Sequence, residues 1–239
     1  MGPVSGRGHV PDKYAAAGVD IAAGNEAVAR YKDVTNAWRH PGQLDAIGGF
    51  GGLFAMPGAP DRALVASADG VGTKILIAAQ MQRYHTVGAD LVNHCVNDIL
   101  VVNATPLFFL DYFATGKLDP QLAAQVVGGC FEACRANNCA LLGGETAEMP
   151  GLYAPGDFDL AGTIVGMVDR NDVPDPQSVQ AGDAIGGLPA RGLHTNGYTL
   201  ARTLVAPHEY GNAFDGTTLG DALLAGHPSY YKDVRAIQA

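Results

Sequence analysis

The spacing of apolar and polar positions changes period several times along the chain. Ile21, Gly24, Val28, Tyr31, Val34 and Trp38 recur every three or four residues, which predicts a helix from Val19 to Trp38. Turn residues follow, and a glycine cluster, Gly48-Gly49-Phe50-Gly51-Gly52, precedes a short apolar stretch. Ala63 to Ala68 reads as a strand running into Asp69-Gly70, with a helix restarting near Thr73. Thr86 to Ala104 is a second helical stretch and Leu107 to Phe113 a buried strand. Asp119 as cap and Pro120 at the first position open a helix to Asn137, whose stripe is Leu122, Val126, Cys130 and Cys134. Ala140 to Leu142 predicts a strand into Gly143-Gly144, and Asp159 to Val168 another. A polar, proline-bearing stretch, 169–183, marks a domain boundary, followed by a short segment at 183–188, a helix from about Gly197 and a last helical stretch from Ser229. The alternation predicts an α/β (α+β) fold without internal repeats: a disordered tail at 1–12, a first domain at 13–168, a linker at 169–183 and the start of a second domain at 184–239.

Composition narrows this picture. A chain of 239 residues with 47% hydrophobic and 16% charged positions has enough material for a substantial core. The formal charge is −9 and no run of Lys or Arg occurs, so a nucleic-acid partner is not expected. No apolar run reaches the length of a membrane span and no secretory h-region is visible at the start, which predicts a cytoplasmic protein with no membrane partner. The four cysteines sit in apolar runs without a CxxC pair, so they are expected in the core rather than on zinc or in disulfides.

The 32 glycines direct attention to four segments. In Asp69-Gly70-Val71-Gly72-Thr73-Lys74, a strand end leads through a glycine turn into a helix start, where unpaired N–H groups and a lysine suit a phosphate. The plainer reading is an Asp-Gly turn with Thr73 as cap. An acid beside phosphate requires a cation, so the phosphate reading makes Asp69 a magnesium ligand. In the helix from Gly88, Asp90, His94, Asn97 and Asp98 share one face. A solvated face draws on Lys, Glu and Arg, yet none lies between Gly88 and Val102, so this face is expected to point inward. Asp98 is the candidate second metal ligand, Asn97 its hydrogen-bonding neighbour at the nucleotide, and His94 a structural residue.

The third segment, Gly143-Gly144-Glu145-Thr146-Ala147-Glu148-Met149-Pro150-Gly151, again places acid after glycine at an expected strand end, which adds Glu145 to the metal set and leaves Glu148 as a loop acid. Phe50, among its glycines, either lines a nucleotide or plugs the core. In the fourth, Gly192-Leu193-His194-Thr195-Asn196-Gly197-Tyr198, Thr195 or Asn196 is a helix-cap candidate and His194 either meets an anionic substrate or moves a proton.

Taken in order, these segments, together with Lys13-Tyr14, Gly18-Val19-Asp20-Ile21, Cys95-Val96-Asn97-Asp98 and Pro106 to Tyr112, resemble the phosphoribosylformylglycinamidine cyclo-ligase family of purine biosynthesis. The resemblance implies a ligase that closes the imidazole ring of aminoimidazole ribonucleotide from formylglycinamidine ribonucleotide, with ATP and Mg2+ as cofactors and ADP and phosphate released. It assigns catalytic roles to Lys74 and His194. The nucleotide falls to Gly49, Phe50, Gly51, Asp69, Gly70, Gly72, Thr73, Lys74, Asn97 and Gly144, the substrate to Thr195 and Asn196, and the metal to Asp69, Asp98 and Glu145. It also implies a homodimer whose mixed-sheet first domains share a barrel. Members of this family continue well beyond the equivalent of Ala239, so a nucleotide-binding, dimerising but non-catalytic fragment is the alternative reading. Pro189-Ala190-Arg191-Gly192 departs from the family pattern.

Overall fold

A computed structural model describes residues 13–238; the expected tail at 1–12 lies outside the described residues. A one-turn helix, α1 (Lys13–Ala16), precedes α2 (Ile21–Thr35), which Asp20 caps by accepting from the Ala23 N–H at 2.9 Å. The apolar stripe of α2 is real but exposed among the described residues: Val34 is 74% exposed and Trp38, just beyond the helix, 72%. Strands β1 (Gly52–Ala55) and β2 (Arg62–Gly70) follow, then α3 (Lys74–Met81), α4 (His85–Leu100) and β3 (Thr105–Thr115). Next come α5 (Pro120–Ala136), β4 (Ala140–Glu148) and β5 (Phe158–Asp169).

The five strands form one sheet in the order β1-β2-β5-β3-β4, parallel only between β3 and β4. Parallel strands need a crossover, and α5 supplies it, entered through the Asp119 carboxylate accepting from Gln121 N–H at 2.8 Å with Pro120 at the first position. Helices α4 and α5 cover one face of the sheet. Val87, Leu91, Cys95 and Ile99 of α4 and Val126 and Cys130 of α5 are buried with Phe109, Leu160 and Ile164. The two helices approach closely where both carry glycine: a Cβ at Gly88 would lie 2.0 Å from the Val126 carbonyl oxygen, and one at Gly129 2.0 Å from that of His85. The opposite face of the sheet stays open, with Leu110, Tyr112 and Leu142 exposed.

Strand β4 is three times the expected length. Gly143, Gly144 and Glu145 belong to the strand itself rather than to a turn after it, because β3 pairs with β4 up to Thr115↔Glu148. Beyond β5 the chain runs exposed through 174–193, and residues 183–188 take no regular structure. It then forms α6 (Tyr198–Leu204), a two-stranded ribbon of β6 (Ala213–Phe214) and β7 (Thr217–Thr218), α7 (Leu219–Leu223) and α8 (Tyr231–Gln238).

Candidate metal and nucleotide site

The end of β2 and one side of α4 bring Asp69, His94 and Asp98 together, with one ligand atom from each within 4.8 Å of the others. Asp69 Oδ2 lies 2.9 Å from His94 Nε2, and Asp98 Oδ1 3.8 Å from the same nitrogen. Spacing by four on the helix puts His94 and Asp98 on one face, and the β2 strand end aims Asp69 at them. The Ser67 hydroxyl donates to Asp98 Oδ2 at 3.2 Å, and the Gly70 N–H to Asp69 Oδ1 at 2.7 Å. A cavity of about 290 Å³ opens beside this cluster, lined by Gly49, Phe50, Gly52, Ser67, Asp69 and Asp98 among others. The glycine cluster and the two acids, some 20 to 50 positions apart in the chain, thus share one site.

Its electrostatics favour added positive charge. Burial raises the Asp69 carboxyl, but hydrogen bonds from His94 and Gly70 and the His94 charge outweigh it and hold the group below its ordinary value. The hydrogen bond to Asp69 lifts the His94 imidazole above its ordinary value against burial. Asp98 is raised by burial, opposed by His94 and Ser67. His94 therefore lies between two carboxylates, and carboxylate oxygens are the ligands a divalent ion such as magnesium prefers. Asp69 and Asp98 would hold that ion.

Glu145 does not join them. Gly70 pairs with Ala161, Ala161 with Tyr112 and Tyr112 with Glu145, so Glu145 stands three strand spacings, about 14 Å, across the sheet. Gly144 owes its identity to packing, since a Cβ there would lie 2.5 Å from Asp111 Oδ1. Glu148 accepts from the Leu118 N–H at 3.0 Å, a structural role at the start of the crossover.

Lys74 and Asn97 also depart from expectation. The Lys74 side chain is 0% exposed; its ammonium sits 2.7 Å from Asp90 Oδ2 and donates to the carbonyls of His194 at 3.0 Å and Ala225 at 2.8 Å. All three donors are used inside the protein, which leaves none for a phosphate. Burial pushes the ammonium down and the Asp90 carboxyl up, and the ion pair resists both shifts. Asn97 is spent likewise: its amide donates to the Pro228 carbonyl at 2.9 Å and to His227 Nε2 at 3.1 Å, while its oxygen accepts from Tyr230 N–H at 2.9 Å. The inward-pointing face of α4 meets residues 225–230, a segment whose partnership nothing in local sequence announced. Asp90 accepts from the His227 N–H, and Asn93 donates to the His227 carbonyl.

His227 is the functional-looking residue that sequence reading missed. Its ring is stacked on His194 at 4.4 Å between centroids, and burial with the nearby His194, His94 and Lys74 charges lowers its pKa to about 3. Asn97 donates to Nε2, so the ring proton sits on Nδ1 and is directed at Thr195 Oγ1, 3.3 Å away. Thr195 is buried and also bonded to His94 Nδ1 at 2.9 Å, so it ties the loop to the cluster; Asn196 beside it is exposed. His194 has a φ of 58° and a pKa lowered by burial and by Lys74. At the turn into α3, Gly72 is exposed with a φ of 71°, and the Thr73 hydroxyl bonds Thr199 at 2.9 Å rather than capping the helix.

The AIR synthase related protein, N-terminal domain model matches residues 52–168, which hold Asp69, His94 and Asp98. Phosphoribosylformylglycinamidine cyclo-ligase of Picosynechococcus sp. is 49% identical over 231 residues, 94% of this chain and 67% of its own length. The protein of the same name from Nitratidesulfovibrio vulgaris is 55% identical over 195 residues, 81% of this chain and 56% of its own. A solved structure, tt0281 from Thermus thermophilus, shares the fold with a TM-score of 0.50 at 20% identity, over 61% of this chain and 44% of that one. The chain spans 56–67% of the length of these two curated relatives. Identity of this extent, over most of this chain and two thirds of the relative, shows that the chain belongs to the phosphoribosylformylglycinamidine cyclo-ligase family.

Proposed function

We propose that this chain carries the ATP site of a cyclo-ligase that converts formylglycinamidine ribonucleotide to aminoimidazole ribonucleotide, with release of ADP and phosphate, in cytoplasmic purine biosynthesis. The observation that carries the reading is the cavity in which Gly49 and Phe50 meet Asp69 and Asp98. In it the exposed Phe50 ring offers a face to a base, the glycine backbone offers N–H groups, and the two acids sit where a polyphosphate needs its cation. Asp69 and Asp98 would hold magnesium, which would supply charge neutralisation for a transferring phosphoryl group. Ser67 and Gly70 hold the two carboxylates in orientation, and the turn Gly70 to Thr73 presents the start of α3 to the phosphates. His194, whose pKa burial and Lys74 lower, is the candidate to accept a proton, and the exposed Asn196 beside it is the candidate to meet the ribonucleotide. Catalysis of this type rests on positioning and electrostatics. The open sheet face with Leu110, Tyr112 and Leu142 supports a homodimer joined there.

The test is ADP release by the purified chain with and without formylglycinamidine ribonucleotide and Mg2+. Release that needs both, and that Asp69→Asn abolishes, is the expected result. ATP binding without imidazole product would overturn the reading in favour of a nucleotide-binding fragment.

A further inference from the structure

All four cysteines are free and buried. Cys95 and Cys130 face the core between the helices and the sheet, where burial raises both thiols, that of Cys130 to about 12. Cys134 and Cys139 owe their placement to the way α5 ends. Asn137 closes the helix and Asn138 takes a φ of 53°, a left-handed conformation that a short amide side chain tolerates. The reversal makes two hydrogen bonds, Cys139 N–H to the Cys134 carbonyl at 2.9 Å and Asn138 N–H to that of Arg135 at 3.2 Å. In this helix-ending motif the side chains of those two outer residues touch, and the contact is usually apolar. Here both of those positions are cysteines, brought to one side of the helix end by the bond from Cys139 N–H to the Cys134 carbonyl.

The pair is asymmetric. Cys134 is 1% exposed, whereas Cys139 is 8% exposed and lines a surface cavity of about 560 Å³ with Leu107, Phe131, Arg135 and Ala140. That cavity lies between α5 and the start of β4, and α5 covers the sheet face opposite the open one. The hydrogen bond from Cys134 lowers the Cys139 pKa against burial, and the same bond together with burial raises Cys134. The carbonyl end of α5 disfavours an anion, and so does the Ala140 carbonyl 3.9 Å from Cys139 Sγ; Arg135 in the cavity wall acts in the opposite sense.

We propose that Cys139 and Cys134 form a redox-active pair, in which Cys139 reacts with a small peroxide entering this cavity and Cys134 resolves the product to a disulfide across the end of α5. The Cys139 thiol gives up its proton, the thiolate attacks one peroxide oxygen, the O–O bond breaks, and the leaving hydroxide takes up that proton as water, giving a sulfenic acid. The Cys134 sulfur then displaces the sulfenic oxygen, which departs with the Cys134 proton as water. Hydrogen peroxide is the oxidant consumed; both sulfurs are oxidised and two waters are the final products. Such bonds in a reducing compartment are transient and sensory rather than structural, which fits a pair held in contact without being joined.

Trypsin cuts at Arg135, between the two cysteines, which makes the bond readable. The folded chain is treated with hydrogen peroxide, blocked with iodoacetamide and digested. The expected product is peptide 118–135 joined to peptide 136–170, lighter than their sum by two hydrogens, with fragmentation placing the link at Cys134. In Cys134→Ala the link is lost and Cys139 is captured as its dimedone adduct. Independently of any variant, iodoacetamide on the reduced native protein alkylates Cys139 ahead of the other three cysteines. Absence of the linked peptides, a link from Cys130 instead, or equal alkylation of all four thiols would overturn the proposal.

Discussion

The two sides of the polar face of α4 do opposite things. Asp90, Asn93 and Asn97 are consumed by Lys74 and by residues 225–230, so that almost every donor and acceptor there has an internal partner. Beside them, His94 holds Asp69 close, and Asp69 and Asp98 line an open cavity, with two carboxylates around one imidazole. The same residue types thus fasten in one place and leave charge available in another. What separates them is whether a second segment closes over them. A closed polar cluster has its groups satisfied within the protein; an open pair of acids keeps oxygens available to a ligand.

This contrast is broken most severely at Lys74. Lys74→Met leaves the Asp90 carboxylate buried and unpaired and is expected to cost about 3–5 kcal/mol in urea unfolding. If stability were kept while nucleotide affinity fell, Lys74 would belong to the phosphate site after all. The next effect is pH-dependent. His227 has a folded pKa of about 3 against an ordinary 6.5, so the unfolded chain binds one more proton between those values, and the contribution of this residue is full above pH 6.5 and lost as pH falls toward 3. Lowering pH from 6.5 to 5 should remove about 2 kcal/mol through this group. The groups facing it, His194, His94, Lys74, Asp69 and Asp90, titrate in both chains, so the difference in slope between the parent and His227→Asn isolates it. The smallest stability change is expected on the open side. Asp98→Asn should move unfolding by no more than about 1 kcal/mol without metal, yet erase the rise in Tm that Mg2+ gives the parent chain.

Much of this was legible in order along the chain. The cap and proline before α5, the strand into Asp69-Gly70 and the inward turn of the α4 face follow from local chemistry. The absence of Lys, Glu and Arg from that face correctly indicated a buried role, although it could not say for what. Glycine before acid was a weaker guide. At Gly70 it ends a strand beside the cavity, whereas at Gly144 it makes room for Asp111 within a strand, and Glu145 rides away with that strand. Lysine after a glycine turn was ambiguous in the same way, because the partner that claims Lys74 is sixteen positions on and two of its acceptors are more than a hundred.

The sequence by itself determined where helices and strands begin, which residues are acidic and glycine-rich, and the resemblance those segments carry, since each depends on neighbours within a few positions. Tertiary structure alone decided which polar groups were spent and which remained available. Hydrogen-bond capacity is finite, and residues 225–230, by folding back on α4, used up that of Asn97 while leaving Asp69 and Asp98 open to a cation.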